Sequence, residues 1–228
     1  VSYGQWSFNN NLSPFAYNQQ TARNTWKDMT GATITVSGLV IGETEYTVFG
    51  GATTSSHEVP CLTDWKLDGT FSDTIEWGDD AARKIDLTYG AYEPAALKSD
   101  GGKNALIVWL HGGGEGGTDP SIALLGNQVT NLSNELVQKY FKQNGLAGAY
   151  VLAPQTPTRW MDIGDGAQAS SPENSVYTES LFKLIKKYAE ELNTDVDINR
   201  IYIGGCSNGG WMTLELLADH GEYFAAAY

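Results

Sequence analysis

Two glycine-framed stretches hold the residue types that acyl transfer requires. The first is Gly205-Cys206-Ser207-Asn208-Gly209, which follows the apolar run Ile201-Tyr202-Ile203 and precedes Trp211-Met212-Thr213-Leu214-Glu215-Leu216-Leu217, a stretch with helical character. In a G-x-S-x-G pattern the serine sits on a sharp strand-to-helix turn with its hydroxyl held above a sheet. The glycines on either side let backbone pass where side chains would collide. Ser207 is the candidate nucleophile. The second stretch, His111-Gly112-Gly113-Gly114-Glu115-Gly116-Gly117, directly follows the run Leu106–Leu110. Glycines there leave N–H groups free to face a developing negative oxygen. These glycines, with the N–H of Asn208, would form an oxyanion hole. The run lacks the Lys-Ser/Thr ending of a phosphate loop and the spacing of a dinucleotide fingerprint, so nucleotide binding is not expected.

A serine hydroxyl is a weak nucleophile and needs a base, usually a histidine held by an acid. Of the three histidines, His220 falls near the far end of the helix that begins after Ser207. At a rise of 1.5 Å per residue that is roughly 20 Å away, far beyond hydrogen-bond reach. Its expected role is to complement the helix C-terminus before Gly221. His111 is expected to hold the glycine loop, and His57, in the polar stretch Ser55–Glu58, to be a surface residue. The acids after Ser207 are Glu215, Asp219 and Glu222. The catalytic acid and base are therefore expected outside this chain, on a complementary C-terminal polypeptide carrying Asp and His.

Substrate contacts are sought on loops at the carboxyl ends of the strands. Trp160, in Thr156-Pro157-Thr158-Arg159-Trp160-Met161-Asp162, is placed to stack on an aromatic acyl group or a sugar, or to pack beneath its loop. Trp211, at the start of the helix after Ser207, is a second candidate, with packing favoured. Glu115 could orient a leaving group, although a solvated loop carboxylate is the commoner outcome. Nothing in these motifs calls for a metal or other cofactor.

The elements that position these residues follow from periodicity. Ala105–Leu110, Ala149–Ala153 and Ile201–Ile203 are continuous apolar runs, as expected of strands buried on both faces. Between them, Leu132, Leu136, Tyr140 and Phe141 form one helical face, and Tyr177, Leu181, Leu184, Ile185, Tyr188 and Leu192 another. Ser171-Pro172-Glu173 is a start signal for the second. Strands alternating with helices predict a largely parallel sheet. Upstream, Ala32–Val36, Glu45–Phe49, Thr74–Trp77 and Lys84–Tyr92 alternate with period two and predict antiparallel strands. The expected division is a β-rich N-terminal region, residues 1–68, as an accessory domain or arm, then an α/β domain, 69–228, incomplete at its C-terminal end. In the first, Trp6, Phe8, Phe15, Tyr17 and Trp26 are expected chiefly to pack, since aromatics bury large areas.

The bulk numbers set bounds. A formal net charge of −13 over 228 residues, with the acids scattered, argues against nucleic acid and anionic membranes as partners. It favours neutral or cationic substrates. No apolar run approaches the ~18 residues of a membrane span. Low charge content with abundant Gly, Asn, Thr, Trp and Tyr accompanies secreted proteins that act on polysaccharides, and an extracellular location is expected. Cys61 and Cys206 are too few for a disulfide scaffold. They are left as a pair, as partners of cysteines elsewhere, or as free thiols.

Over roughly residues 85 to 228 the two motifs, with Val151-Leu152-Ala153-Pro154-Gln155 and Asp197–Gly210 in the same order, resemble the α/β-hydrolase superfamily. Within it the chain looks most like secreted feruloyl esterases, polyhydroxybutyrate depolymerases and prolyl-oligopeptidase-like esterases. The β-rich start is similar to the Ig-like extension of some of these. The resemblance implies Ser207 as nucleophile, Gly113 or Gly114 with Asn208 as oxyanion donors, and ester hydrolysis through an acyl-enzyme without a cofactor. The implied substrates are esters, with feruloyl or acetyl esters of plant cell-wall polysaccharides as the expectation. A peptidase on the same fold and a non-catalytic carbohydrate-binding protein are the alternatives.

Overall fold

The computed structural model describes residues 15–26, 33–36, 38–46, 49–53, 58–166 and 175–228. The chain divides into two compact units, one of Val1–Ala16 and Thr25–Pro60, the other of Tyr17–Asn24 and Cys61–Tyr228. The expected division at 68/69 falls inside a strand, Trp65–Trp77. Trp6, Phe8, His57 and the Ser171-Pro172-Glu173 start signal lie outside the described residues.

A first hairpin pairs β1 (Phe15–Asn18) with β2 (Arg23–Trp26). Its tip, Tyr17–Asn24, is grouped with the second unit. Asn18 closes the turn by accepting the N–H groups of Gln20 at 2.9 Å and Thr21 at 3.2 Å, the Asx device that favours asparagine in turns. In the first unit, Phe15 and Trp26 meet edge to face at 5.1 Å. There β3 (Thr33–Val36) pairs antiparallel with β6 (Phe49–Thr53), and β4 (Leu39–Ile41) with β5 (Thr44–Tyr46).

The second unit is built on a six-stranded sheet. Its strands are β7 (Trp65–Trp77), β8 (Asp80–Tyr92), β9 (Asn104–Leu110), β10 (Ala149–Gln155), β11 (Val196–Gly205) and β12 (Ala226–Ala227), in the order β12-β11-β9-β10-β8-β7. The pairs β12–β11, β11–β9 and β9–β10 are parallel, whereas β10–β8 and β8–β7 are antiparallel. The three predicted apolar strands are thus β9, β10 and β11, and every residue of β10 is buried. Strands covered on both faces have no polar side to alternate with. The long ribbon β7–β8 keeps an alternating pattern along β7, with one face toward solvent.

Helices lie between the strands: α1 (Ala95–Ser99), α2 (Pro120–Gly126), α3 (Glu135–Gln138), α4 (Thr178–Lys187) and α5 (Asn208–His220). Asp119 caps α2, accepting the N–H of Ser121 at 3.0 Å ahead of Pro120 at the first position, where proline loses no hydrogen bond. Leu181, Leu184 and Ile185 of α4 are buried, as are Tyr177 before it and Tyr188 after it. A wider π-type turn, Tyr188–Leu192, follows α4 and leaves Leu192 exposed.

The face predicted from Leu132, Leu136, Tyr140 and Phe141 does not form as one helix. Residues Val129–Ser133 make a 3₁₀ turn, Asn134 is extended, and α3 is a single turn with Leu136 and Tyr140 exposed. Asparagine and serine side chains are able to compete for backbone groups, which disfavours a continuous helix through this stretch. Ser133 donates to Thr130 O at 2.7 Å.

One contiguous cluster covers one face of the sheet, where Leu106, Val108, Leu110, Leu152 and Ile203 of the strands meet Leu181 of α4 and Met212 and Leu216 of α5. Each contributes about 1.5–3 kcal/mol of transfer free energy when fully buried. Among the described residues no helix is long and apolar enough to cross a membrane. Both cysteines are free, Cys61 exposed and Cys206 half-buried.

Candidate active site

β9 lies between β10 and β11, with Gly205 registered opposite Leu110. The chain therefore leaves β9 into the glycine loop beside the point where it leaves β11 into the Ser207 turn. Cys206 N–H donates to Leu110 O at 3.1 Å and ties the two exits together. Ser207 then adopts φ 53, ψ −111, a conformation rare for an L-residue. It is held in place because α5 starts at once: Gly209 N–H donates to Cys206 O at 2.9 Å and Trp211 N–H to Ser207 O at 3.0 Å. The turn leaves Ser207 exposed.

The approach is so close that a Cβ on Gly205 would lie 2.5 Å from Gly209 C and 2.7 Å from Leu110 O. One on Gly209 would lie 2.5 Å from His111 O and closer still to Leu110 O. These are backbone atoms, which cannot rotate aside. Asn208 is buried; its side-chain oxygen accepts Met161 N–H at 3.1 Å and anchors the turn to the loop after β10. As the first helical residue it has no acceptor for its own N–H within α5.

Across the exit, Gly113–Glu115 form a 3₁₀ turn closed by Glu115 N–H donating to Gly112 O at 3.2 Å. Gly113 and Gly114 open that turn, so their N–H groups have no partner within it. Gly117 N–H donates to Thr156 O at 2.7 Å, fixing the far end of the loop to the segment after β10.

His111 is fully buried below this loop. Its Nδ1 lies 2.6 Å from Gly112 O, the geometry of an Nδ1–H donor, and Nε2 accepts Thr156 N–H at 3.2 Å. Burial pushes its pKa down to about 4. Both ring nitrogens are thus committed and the ring is neutral near pH 7. This state has a measurable consequence. The unfolded chain binds the proton near pH 6.5 and the folded one only near 4, so the His111 contribution is intact above pH 6.5 and lost as pH falls toward 4. At ~1.36 kcal/mol per unit, unfolding in denaturant at pH 7.5 and 4.5 should differ by about 2–3 kcal/mol from this residue. His111→Gln should lose that part of the pH dependence; an unchanged dependence would show that His111 does not supply it.

His220 is likewise occupied. Its ring stacks on Phe182 with centroids 3.6 Å apart, and Nε2 lies 3.3 Å from Glu179 Oε1. No histidine among the described residues meets Ser207.

The three expected substrate contacts separate. Trp160 is fully buried, tilted against His111 at 5.0 Å and edge-on to Tyr177 at 6.4 Å; it packs beneath the loop rather than facing a ligand. Glu115 is also buried, because its carboxylate is enclosed by protein donors. Asn24 Nδ2 donates to Oε1, and Asn127 Nδ2 donates to Oε2 at 3.3 Å. The carboxylate fills the space beside Gly112, where a Cβ would lie 2.8 Å from Oε2. Trp211 stays with Ser207: both line an open cavity of about 630 Å³ with Thr213, Leu214, Leu217 and Tyr228.

The sequence reading missed Arg23 and Asn24. Arg23 Nη1 donates to Gly116 O at 2.8 Å, and Asn24 sits 91 residues before Glu115 in sequence. No local pattern signals a polar contact across that separation. Among the described residues no cluster of His, Cys, Asp and Glu could hold a metal ion.

A mostly parallel sheet flanked by helices, with a strained serine turn after one central strand and a glycine loop after its neighbour, defines the α/β-hydrolase fold. The chain belongs to the phospholipase/carboxylesterase family, whose profile matches residues 93–224. It is 26% identical over 151 residues to a poly(3-hydroxybutyrate) depolymerase of Ralstonia pickettii, an alignment covering 65% of this chain and 29% of the relative. Among solved structures it is similar to a thermostable esterase, with a TM-score of 0.68, 23% identity, and 97% of this chain aligned to 55% of that one. The chain thus spans 29% of the curated relative's length and 55% of the esterase's.

Proposed function

We propose that this chain carries the nucleophile and the oxyanion donors of a serine carboxylic-ester hydrolase. The observation that carries this reading is Ser207 itself: an exposed serine in a disfavoured backbone conformation, beside a glycine loop whose Gly113 and Gly114 N–H groups have no partner within their own turn. Backbone strain of this kind costs ~1–3 kcal/mol and persists where the surroundings over-determine it. Ser207 Oγ attacks the ester carbonyl. The carbonyl oxygen, now negative, is received by N–H groups of Gly113 or Gly114 and Asn208. The alcohol leaves, and water releases the acid from the acyl-serine.

The proton on Ser207 Oγ needs an acceptor. His111 is buried with both nitrogens committed, and His220 is held at the opposite end of α5. Neither histidine among the described residues is placed to take the proton, and we propose that the histidine and its acid are supplied by polypeptide outside these 228 residues. Family membership supports ester over amide cleavage, and a net charge of −13 suits esters on neutral polymers better than anionic ones. Feruloyl or acetyl esters of cell-wall polysaccharide, met outside the cell, are the proposed substrates.

A fluorophosphonate probe tests the site. In the assembled enzyme, peptide mass spectrometry should find the adduct on Ser207. In the 228-residue chain alone, labelling should be at least 100-fold slower, since general-base assistance contributes about 10²–10⁴-fold. An active preparation with no adduct on Ser207 overturns the assignment, and equal labelling of the isolated chain overturns the external base. A panel of feruloyl and acetyl esters, a polyhydroxyalkanoate and a peptide anilide then sets the substrate class.

A further inference from the structure

We infer that the N-terminal hairpin tip, Tyr17–Asn24, belongs to the oxyanion apparatus, with Arg23 and Asn24 as positioning residues for the Gly113–Gly116 loop. The inference rests on the reading of Ser207 and the loop amides given above. It goes beyond that reading by assigning a role in the chemistry to a segment that both motifs leave out.

The glycine loop cannot hold its own shape. Its residues bring no side chains except that of Glu115, and that side chain is turned inward. The 3₁₀ turn Gly113–Glu115 has one backbone closure, from Glu115 N–H to Gly112 O. What fixes the direction of the Gly113 and Gly114 amides is therefore the set of bonds that hold the loop at Gly112 O (His111 Nδ1–H, 2.6 Å), at Glu115 O (Gln155 Nε2, 2.8 Å) and at Gly117 N–H (Thr156 O, 2.7 Å), together with the grips on the Glu115 carboxylate and on Gly116 O. Both grips come in part from the hairpin. Asn24 Nδ2 donates to Glu115 Oε1, and Arg23 Nη1 donates to Gly116 O at 2.8 Å. The second carboxylate oxygen is held from the other side by Asn127 at 3.3 Å.

The hairpin also lies directly over the loop. From Gly114, the space a Cβ would enter is bounded by Ala22 O at 3.2 Å, Tyr17 Cε2 at 3.4 Å and Asn24 Nδ2 at 3.7 Å. The tip is itself constrained: Asn18 closes the turn, and Ala22 takes φ 52 in the left-handed region. Gly114 is thus covered by the hairpin tip, about 90 residues upstream.

A buried carboxylate that loses a hydrogen-bond donor must move toward another or draw in water. Glu115 packs against Gly112, so such a shift is passed to the turn that carries the two amides. Removing an oxyanion donor outright costs about 10²–10³ in kcat. A donor displaced but not removed should cost less, about tenfold.

The test uses the assembled enzyme and an aryl acetate. Asn24→Ala and Arg23→Met should each lower kcat about tenfold with KM within twofold, counted per active site by fluorophosphonate titration. The rate of phosphonylation of Ser207 should fall in parallel, because that reaction also places negative oxygen in the hole. Lys84→Ala, on the exposed side of the β7–β8 ribbon, serves as the control with unchanged kcat. Counting per titrated site removes any loss from misfolding. If kcat per site stays at the parental value in both variants, the hairpin only stabilises the fold and the inference is overturned. If Ser207→Ala retains full activity, the nucleophile reading fails instead, so the two failures are distinct.

Discussion

Ser207→Ala in an active preparation should, on the proposed reading, lower kcat/KM on an aryl ester by about 10⁴-fold or more, the scale of loss when a serine nucleophile is removed and the oxyanion donors remain. Substrate affinity should change little, because the hydroxyl contributes to bond formation rather than to ground-state binding. The companion variant is more diagnostic. Ser207→Gly removes the same hydroxyl but also relieves the backbone, which sits at φ 53, ψ −111. Strain of that order costs ~1–3 kcal/mol. Glycine gives back roughly 0.5–1 kcal/mol through its freer unfolded state. The net expectation is an inactive protein more stable by about 1 kcal/mol, a rise in Tm of about 2–4 °C for a chain of this size. Denaturant unfolding and a rate assay on the same sample decide it. Activity within tenfold of the parent, or a glycine variant less stable than the alanine one, would remove the basis for calling this turn functional.

The second large effect belongs to Gly209. An alanine there would place Cβ 2.5 Å from His111 O and nearer still to Leu110 O. A flexible side chain could move aside, but these are carbonyls at the end of a central strand. Relief requires α5 to retreat from β9, which tears at the hydrogen bond between Gly209 N–H and Cys206 O. Overpacking usually costs 1–3 kcal/mol, and the rigidity of both partners puts Gly209→Ala at the top of that range, about 3 kcal/mol. Activity should fall about 100-fold even in the folded fraction, since small misplacements of reacting groups are costly. Gly221→Ala is the matched control: a Cβ there meets nothing within 4 Å. Equal stability of the two variants in urea would contradict the packing described.

How much of this was legible in the sequence depends on the range over which each feature is written. The central strands were legible because Leu106–Leu110 and Ala149–Ala153 are apolar without interruption, and burial on both faces leaves that mark. The Ser207 turn was legible because strand, glycines and helix are contiguous. The stretch from Leu132 to Phe141 misled because its apolar spacing fits a helix while Ser133 bonds the backbone at Thr130 O and Asn131 and Asn134 bond each other's side chains across the turn. Glu115 misled for another reason. Beside five glycines it reads as a loop carboxylate, and only Asn24 and Asn127, far away in sequence, make its burial tolerable. Trp160 was balanced between two roles in the sequence, and the structure places it fully buried against His111.

The register that sets Gly205 beside Leu110 also bears on how the protein acquires and keeps its site. The Ser207 turn and the glycine loop are separated by nearly a hundred residues of chain, and they meet only once β9 and β11 have paired. Such non-local pairing is slow, because loop closure precedes any reward. The site should therefore appear late in refolding, together with the central sheet and not before it. Once formed, it is bonded to the innermost strands, so its amides should exchange with solvent only through the largest openings of the molecule. Cys206 N–H, bound to Leu110 O, is the amide on which that coincidence of slow assembly and long protection can be read.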